Sequence, residues 1–263
     1  MTHTLYQVDA FTSQPFKGNP AAVCVLQGPV SARWMQSLAA EMNLSETAYL
    51  LPQERGWRLR WFTPKTEVDL CGHATLASAR VLFELHPKMR GEALEFHTRS
   101  GLLLARWKAG RVELDFPAMV YQRFSYEGDV CRAIGFEPVD AVFSGNYCLF
   151  VAKDEEIIKE AAPNISGLLK LPLPEVIITA KSTHQKYDFI SRFFAPQLGV
   201  DEDPVTGSAH CLLAPYWAEK LGKKTFTAYQ ASKRGGELHL EIVADRVRIS
   251  GQAKFIFKAV LLV

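Results

Sequence analysis

The chain has 263 residues, 48% hydrophobic and 22% charged, a composition typical of a globular protein with a sizeable core. The net charge is only +2 and the basic residues are scattered, which argues against a nucleic-acid partner. No apolar run approaches the roughly 20 residues that a membrane helix needs, which argues against a membrane partner. The five cysteines lack zinc or redox spacing, so we expect reduced thiols. The first residues lack a secretory pattern, so we expect a soluble cytoplasmic protein.

The first half of the chain alternates predicted strands with two predicted helices. Ser31 is a suitable N-cap for a helix that continues to Met42, and Asn43 suits a left-handed C-cap. A second helix over 73–85 carries only Arg80 and Glu84 as charged residues, so we expect it to be buried nearly all round. A loop is predicted over 63–71, and strands over 5–10, 22–26, 46–51, 56–62, 92–97, 101–107 and 110–116.

The second half repeats this order. A helix over 208–221 has no charge before Glu219, so it too should be internal, with Pro215 bending it and Gly222 ending it. A short helix is predicted near 154–161 and a loop over 195–206. Strands are predicted over 147–151, 175–179, 187–194, 225–229, 236–243 and 245–249.

Short matches between the halves indicate an internal duplication. The matched residues are Gly18-Asn19 with Gly145-Asn146, 127 apart, Arg60 with Arg192, 132 apart, and Gly72 with Gly207 and Arg99 with Arg234, each 135 apart. Collinear matches with a slowly drifting offset predict two related halves, 1–118 and 119–263, joined near 117–128. We expect an α+β fold of two pseudo-symmetric domains, each a curved, mainly antiparallel sheet or barrel around a central helix, with terminal strands free to cross over. The seam between such halves is a natural place for a small-molecule cleft.

Each predicted core helix starts beside a glycine, Gly72 in the first half and Gly207 in the second. The first N–H groups of a helix lack internal partners and carry partial positive charge, and glycine lets a ligand approach the backbone. A single such glycine would only ease a tight turn. A pair at equivalent positions favours a site for a carboxylate or a developing enolate-like oxygen.

Polar residues beside these glycines are the candidates for chemistry. His73 and Ser208 hold equivalent positions, and Asp203 suits either a helix N-cap or a pairing with His73 across the seam. Glu46 begins an alternating strand. The residues alone allow two interpretations of Glu46: a solvated side chain at a strand end, or a carboxyl aimed into an apolar cleft. No phosphate loop, dinucleotide fingerprint or metal-ligand spacing occurs, so we expect no cofactor and no metal.

Four segments, DAFTSQPFKGNPAAV, NLSETAYLL, RWFTPKTEVDLCGHATLASA and DEDPVTGSAH, resemble the PhzF family over nearly the whole chain. The resemblance implies the diaminopimelate epimerase-like fold, a homodimer and cofactor-free proton transfer. It implies that Glu46 is the catalytic acid/base and that His73, Asp203 and Ser208 assist it. It also implies that Asn19 and the backbones of Gly72 and Gly207 contact the substrate.

One departure from the racemase pattern bears on the reaction. Racemases of this fold use one cysteine from each half just before the glycine, whereas this chain has Cys71 in one half and Thr206 in the other. A threonine hydroxyl is far too weakly acidic to act as the second base. We therefore expect an isomerase that moves a proton on a small carboxylic acid. Two alternatives stay open: a racemase, epimerase or dehydratase that uses Cys71 as its base, and a non-catalytic small-molecule binding protein.

Overall fold

A computed structural model describes residues 3–262. Internal contacts divide the chain into two compact units. The first unit contains the residues up to Asp115 and those from Ile249 onward, and the second contains Phe116–Arg248. The domain boundary at 118/119 that we expected from the sequence stays a prediction. No helix among the described residues is long and apolar enough to cross a membrane.

The first unit is a mixed, mostly antiparallel sheet with two helices. Its strands are Thr4–Ala10, Asn19–Val25, Glu46–Pro52, Trp57–Phe62, Glu67–Val68, Leu94–Thr98, Gly101–Lys108, Arg111–Pro117 and Ala253–Val260, of which Arg111–Pro117 continues past the unit's boundary. The helix Ala32–Met42 begins where Ser31 Oγ accepts a hydrogen bond from the Trp34 amide and ends at Asn43, whose φ of 49° is left-handed. Both predicted caps of this helix are confirmed.

The helix Gly72–Leu85 forms the centre of the first unit, and eleven of its residues are buried. Small side chains such as Ala74, Ala77 and Ala79 have no exposed surface, because the helix packs against the strands Thr4–Ala10 and Asn19–Val25. The prediction of an internal helix here is confirmed. A short 3-10 helix, Pro87–Gly91, follows it.

The second unit has the same kinds of element. Its strands are Gln122–Arg123, Asp140–Ser144, Tyr147–Val151, Glu175–Lys181, Phe189–Ala195, Val200–Asp203, Thr225–Gln230, Gly236–Val243 and Arg246–Gly251, the last of which continues past the unit's boundary. Its helices are Gly128–Ile134, Glu155–Glu160, Ile165–Leu168 and the buried His210–Leu221, with a 3-10 turn at Pro196–Leu198. Gly222 ends the long helix with a φ of 64°, as predicted.

The pairing order of the strands repeats between the units. In the first, Asn19–Val25 runs parallel to Glu46–Pro52, which pairs antiparallel with the next strand. In the second, Tyr147–Val151 runs parallel to Glu175–Lys181, which also pairs antiparallel with its successor. Each unit therefore carries a mixed sheet with a buried helix of its own, which confirms the predicted pseudo-symmetry.

Several elements differ from the sequence predictions, among them the predicted loops over 63–71 and 195–206, which contain the strands Glu67–Val68 and Val200–Asp203. The helix predicted from Ser208 begins at His210 instead, because residues 207–209 form turns that carry i+3 hydrogen bonds. The helix Gly128–Ile134 was not predicted, since seven residues are too few for a clear period. The strand Ala253–Val260 was also not predicted, since exposed and half-buried residues along both faces weaken its alternation. It pairs antiparallel with Thr4–Ala10.

Candidate active site

Parallel strand pairing brings Asn19 and Glu46 to one edge of the sheet in the first unit. Asn19 begins one strand and Glu46 begins its parallel neighbour, with Ala21 paired to Glu46. Parallel strands start at the same edge of a sheet, so the two side chains belong to one end of the unit. Gly18 precedes Asn19 at a φ of +64°, a conformation that glycine adopts without strain.

His73 lies at the centre of this end of the sheet, on the first turn of the buried helix. Its Nε2 is 3.2 Å from Glu46 Oε2, and its Nδ1 is 3.2 Å from Asn19 Nδ2 and 3.5 Å from Cys71 Sγ. The His73 side chain is 6% exposed and that of Glu46 is 18% exposed. A carboxyl at the border of solvent therefore faces an imidazole that is almost fully buried.

A chain of polar contacts orients the imidazole. The Ser45 hydroxyl donates to Asn19 Oδ1 at 3.4 Å, which leaves the amide Nδ2 to donate to His73 Nδ1. In this arrangement Nδ1 is an acceptor, so the proton of the neutral ring is on Nε2 and faces Glu46. The contact between Nε2 and Oε2 falls short of hydrogen-bond geometry.

The start of the buried helix is an electropositive backbone site. Cys71 is the N-cap residue and gives no side-chain cap, while Thr75 N–H and Oγ1 both donate to the Cys71 carbonyl. The N–H groups of Gly72, His73 and Ala74 come before the first bonded turn, and all three residues are buried. A buried helix start of this kind suits an anionic oxygen.

In the second unit, Thr206 and Gln230 fix the segment that leads into the long helix. The Thr206 amide donates to Gln230 Oε1 at 2.8 Å, and Gln230 Nε2 donates to the Asp203 carbonyl at 2.8 Å. The Thr206 hydroxyl donates to the Asp203 carboxylate. Thr206 occupies the position in the second unit that Cys71 occupies in the first, and its hydrogen bonds give it a structural role there.

Ser208 is half-buried at the turn before the same helix, next to the buried backbone of Gly207. Its Oγ accepts a hydrogen bond of 3.0 Å from the Tyr147 hydroxyl. Burial raises the pKa of Tyr147, so the phenol stays protonated and donates. Burial also raises the pKa of the neighbouring Glu175 carboxyl, although contacts with Tyr147 and Asn146 lower it in part.

His210 is fully buried at the start of the long helix. Its Nδ1 contacts the Thr206 carbonyl at 2.9 Å, and its ring stacks on Phe189 with 6.1 Å between centroids. Burial lowers the pKa of this imidazole to about 4 from its ordinary 6.5, because a protonated ring would lose its hydration, and the hydrogen bond to the Thr206 carbonyl offsets only part of that cost. His210 is thus a neutral packing residue near pH 7.

The buried His210 should make the folded state sensitive to mild acid. The unfolded chain binds a proton at this residue below pH 6.5, whereas the folded protein binds it only near pH 4. His210 therefore contributes its full stability above pH 6.5 and loses it as the pH falls towards 4. We expect the free energy of unfolding to fall by about 2 kcal/mol more in the wild type than in His210→Asn between pH 7 and 4.5. Urea unfolding measures this, and equal losses in both proteins would contradict the assignment.

The structure brings together the predicted residues of the first unit, namely Asn19, Glu46, His73 and the Gly72 backbone. Within the second unit it places Gly207 and Ser208 in the turn before the long helix and Asp203 beside Thr206. The pairing of Asp203 with His73 stays a prediction. Sequence reasoning missed Ser45, Tyr147 and Gln230. Ser45 and Tyr147 adjoin residues that were singled out, but Gln230 carried no sequence signal.

Comparisons with known proteins agree with this architecture. A family model described as phenazine biosynthesis-like protein, PhzC-PhzF, matches residues 8–259. An uncharacterized isomerase of Halalkalibacterium halodurans is 51% identical over 263 residues, which cover 100% of this chain and 99% of that protein. The crystal structure of a PhzF-family protein from Enterococcus faecalis has a TM-score of 0.95 at 43% identity and covers 100% of both chains.

A structure with much lower sequence identity shares the same fold. A hydroxyproline epimerase from Agrobacterium vitis has a TM-score of 0.64 at 13% identity, covering 99% of this chain and 92% of its own. Two repeated units, each with a buried helix, thus define a protein of the epimerase-like fold class. The chain belongs to the PhzF family. The predictions of the family, of the α+β epimerase-like fold and of an enzyme of the isomerase class are confirmed.

Proposed function

We propose that the protein isomerises a small carboxylic acid by moving one proton, with Glu46 as the acid/base. The observation that carries this proposal is the contact of Glu46 Oε2 with the buried His73 Nε2 at 3.2 Å, at the start of a buried helix. A carboxyl group that is partly withdrawn from water and touches a second proton-exchanging group suits general acid/base catalysis. The homodimer and the cytoplasmic location stay predictions.

The proposed reaction shifts a double bond without any net change of oxidation state. Glu46 removes a proton from a carbon of the substrate, and the electron pair of that C–H bond forms a new C=C bond. The pair of the former C=C bond then takes the proton back from the Glu46 carboxyl at another carbon. Because one proton is removed and one is returned with no net transfer of electrons, the step needs no redox cofactor. The Glu46 side chain is 18% exposed, so its carboxyl can exchange the proton with water between the two transfers.

The neighbours of Glu46 support its turnover between two protonation states. His73 presents its Nε2 proton to the carboxylate after Glu46 has given up its own proton, and this interaction is weaker when the carboxyl is protonated. Asn19 holds the imidazole by its amide, and Ser45 holds the amide. The ring therefore keeps one tautomer through the cycle, as the oriented base of a proton-transfer site requires.

The backbone at Gly72 is proposed to bind the substrate carboxylate or the negative charge that develops next to the abstracted proton. Its N–H groups are buried and precede the first bonded turn. Fixed dipoles in a site shielded from water stabilise such a charge without reorganisation. This assignment explains why a carboxylic acid is the expected substrate class.

Asp203, Ser208 and Gly207 are proposed to serve the same reaction from the second unit. Ser208 and Gly207 hold the place in that unit that His73 and Gly72 hold in the first, which supports a matching role. The Ser208 oxygen accepts from Tyr147, so its own hydrogen can be donated to an anionic oxygen. Asp203 accepts from Thr206 and would orient this segment.

Deuterium exchange tests the proposal. A panel of small unsaturated carboxylic acids is incubated with the protein in heavy water, and C–H exchange is followed by NMR. We expect at least one acid to exchange and to change its double-bond position. Binding without exchange would instead support a non-catalytic binding protein.

A second candidate, a Cys71-based racemase, epimerase or dehydratase, rests on the 3.5 Å contact of Cys71 Sγ with His73 Nδ1. The half-buried Cys131 of the second unit provides a matched control. If Glu46 carries the proton, Cys71→Ala should keep at least about a tenth of the wild-type exchange rate, as Cys131→Ala should. Loss of exchange in Cys71→Ala alone, with the protein still folded, would favour the thiol mechanism.

A further inference from the structure

Three different metal-ligating side chains meet at the start of the first core helix. One donor atom each from Glu46, Cys71 and His73 lies within 4.8 Å of the other two. Counted over the whole residue, Cys71 is 8% exposed and His73 is 5% exposed, so the group is not a set of solvated surface charges. Acidic clusters on a surface are common and uninformative, whereas a buried combination of oxygen, sulfur and nitrogen donors is selective.

We infer that Glu46, Cys71 and His73 form a binding site for a thiophilic divalent cation of the Zn²⁺ class. Thiolate, imidazole and carboxylate are the ligands that Zn²⁺ takes in proteins, and three protein ligands leave a fourth position for water or substrate. The Cys71 thiolate and the Glu46 carboxylate supply two negative charges, which balance a divalent ion in a largely buried site.

The distance between Glu46 and His73 suits such an ion. Bond lengths of about 2.0–2.3 Å in a tetrahedral zinc site place the ligand atoms roughly 3.3–3.8 Å apart. His73 Nε2 and Glu46 Oε2 are already 3.2 Å apart. The Nε2 atom is buried, and its contact with Glu46 lacks hydrogen-bond alignment. Cys71 Sγ contacts the other ring nitrogen, Nδ1, at 3.5 Å, so a change of the Cys71 side-chain rotamer must bring the thiolate to the Nε2 side to complete the site.

Residues behind the imidazole can support a metal-bound form. A cation on Nε2 leaves the ring proton on Nδ1, and that proton needs an acceptor. Asn19 faces Nδ1 at 3.2 Å, and a rotation of its amide presents Oδ1 in place of Nδ2. The Ser45 hydroxyl then accepts from Nδ2, because a hydroxyl can both donate and accept.

Occupation of this site would block the proposed reaction. The cation takes the Glu46 oxygen that would carry the proton and the His73 nitrogen that faces it. Inhibition by Zn²⁺ therefore rests on the proposed function, but binding itself does not. The two ideas fail separately, because metal binding is measured without a substrate.

Titration with Co²⁺ alone tests the inference on the full chain, free of any affinity tag. Tetrahedral Co²⁺ shows visible d–d bands, and a thiolate ligand adds a charge-transfer band in the near ultraviolet. We expect one equivalent of Co²⁺ per chain to produce both features and Zn²⁺ to displace it. In Cys71→Ser the charge-transfer band should vanish and affinity should fall at least about tenfold, whereas Cys131→Ser should match the wild type.

A second variant keeps the test decisive if Cys71→Ser does not fold. Glu46→Gln retains the thiolate and the imidazole, so it should keep the charge-transfer band but bind Co²⁺ at least about tenfold more weakly. A wild-type protein that develops no thiolate band with stoichiometric Co²⁺ overturns the inference. So does a folded Cys71→Ser variant that keeps the band, or a folded Glu46→Gln variant with unchanged affinity, whatever the exchange assay shows.

Discussion

The Glu46→Gln variant should lose at least about a thousandfold of the C–H exchange rate while it stays folded. Glutamine has nearly the shape of glutamate, but its amide cannot take up and return a proton. Its oxygen can still accept from His73 Nε2 at the position where Oε2 now lies 3.2 Å away. We therefore expect the free energy of unfolding to change by less than about 1 kcal/mol. NMR exchange rates and urea unfolding on the same samples measure both effects.

Two further variants make this result specific. Glu41→Gln removes an exposed carboxyl from the helix Ala32–Met42 and should leave exchange unchanged. Glu46→Asp keeps the acid but withdraws it by one methylene, so exchange should fall by about a hundredfold through misplacement alone. A Glu46→Gln protein that exchanges within about tenfold of the wild type would remove Glu46 from the proposed role.

The sequence predicted most of the elements that build this site, for reasons that are local. A buried helix with few charges, such as Gly72–Leu85, is visible in the order of its residues. The same holds for Ser31 and Asn43, because capping depends on a few neighbouring positions. The duplication was visible because Gly18 and Gly145 both keep a positive φ, which few residues other than glycine adopt.

The surroundings of the catalytic candidates could not be predicted in this way. The contact of Glu46 with His73 depends on how two strands and a helix pack, not on a spacing along the chain. The same limit applies to the Tyr147 hydroxyl on Ser208, which joins residues 61 positions apart. From the residues alone, the Glu46 side chain could have been either solvated at a strand end or directed into a cleft. Its 18% exposure shows a carboxyl largely shielded by its neighbours.

The two glycines that begin the duplicated segments differ in what surrounds them. Gly18 has a φ of +64°, and a Cβ added there would lie 2.1 Å from the Ala10 carbonyl oxygen and 2.8 Å from Thr12 Cγ2. Gly145 has a φ of +56°, and a Cβ there would meet nothing within 4 Å. An alanine would therefore have similar backbone strain at both positions, but only at position 18 would its Cβ also collide with a backbone atom.

Gly18→Ala should accordingly destabilise the protein by about 3–5 kcal/mol, against about 1–2 kcal/mol for Gly145→Ala. The Ala10 carbonyl belongs to the strand Thr4–Ala10 and cannot rotate away as a flexible side chain would. Relief of the collision must shift the chain at Asn19, the next residue, which holds His73 Nδ1 by its amide. We therefore expect Gly18→Ala to lose at least about a hundredfold of exchange activity even below its unfolding temperature. Urea unfolding of the matched pair isolates the collision from the strain, and equal destabilisation at both positions would show that the strand yields at little cost.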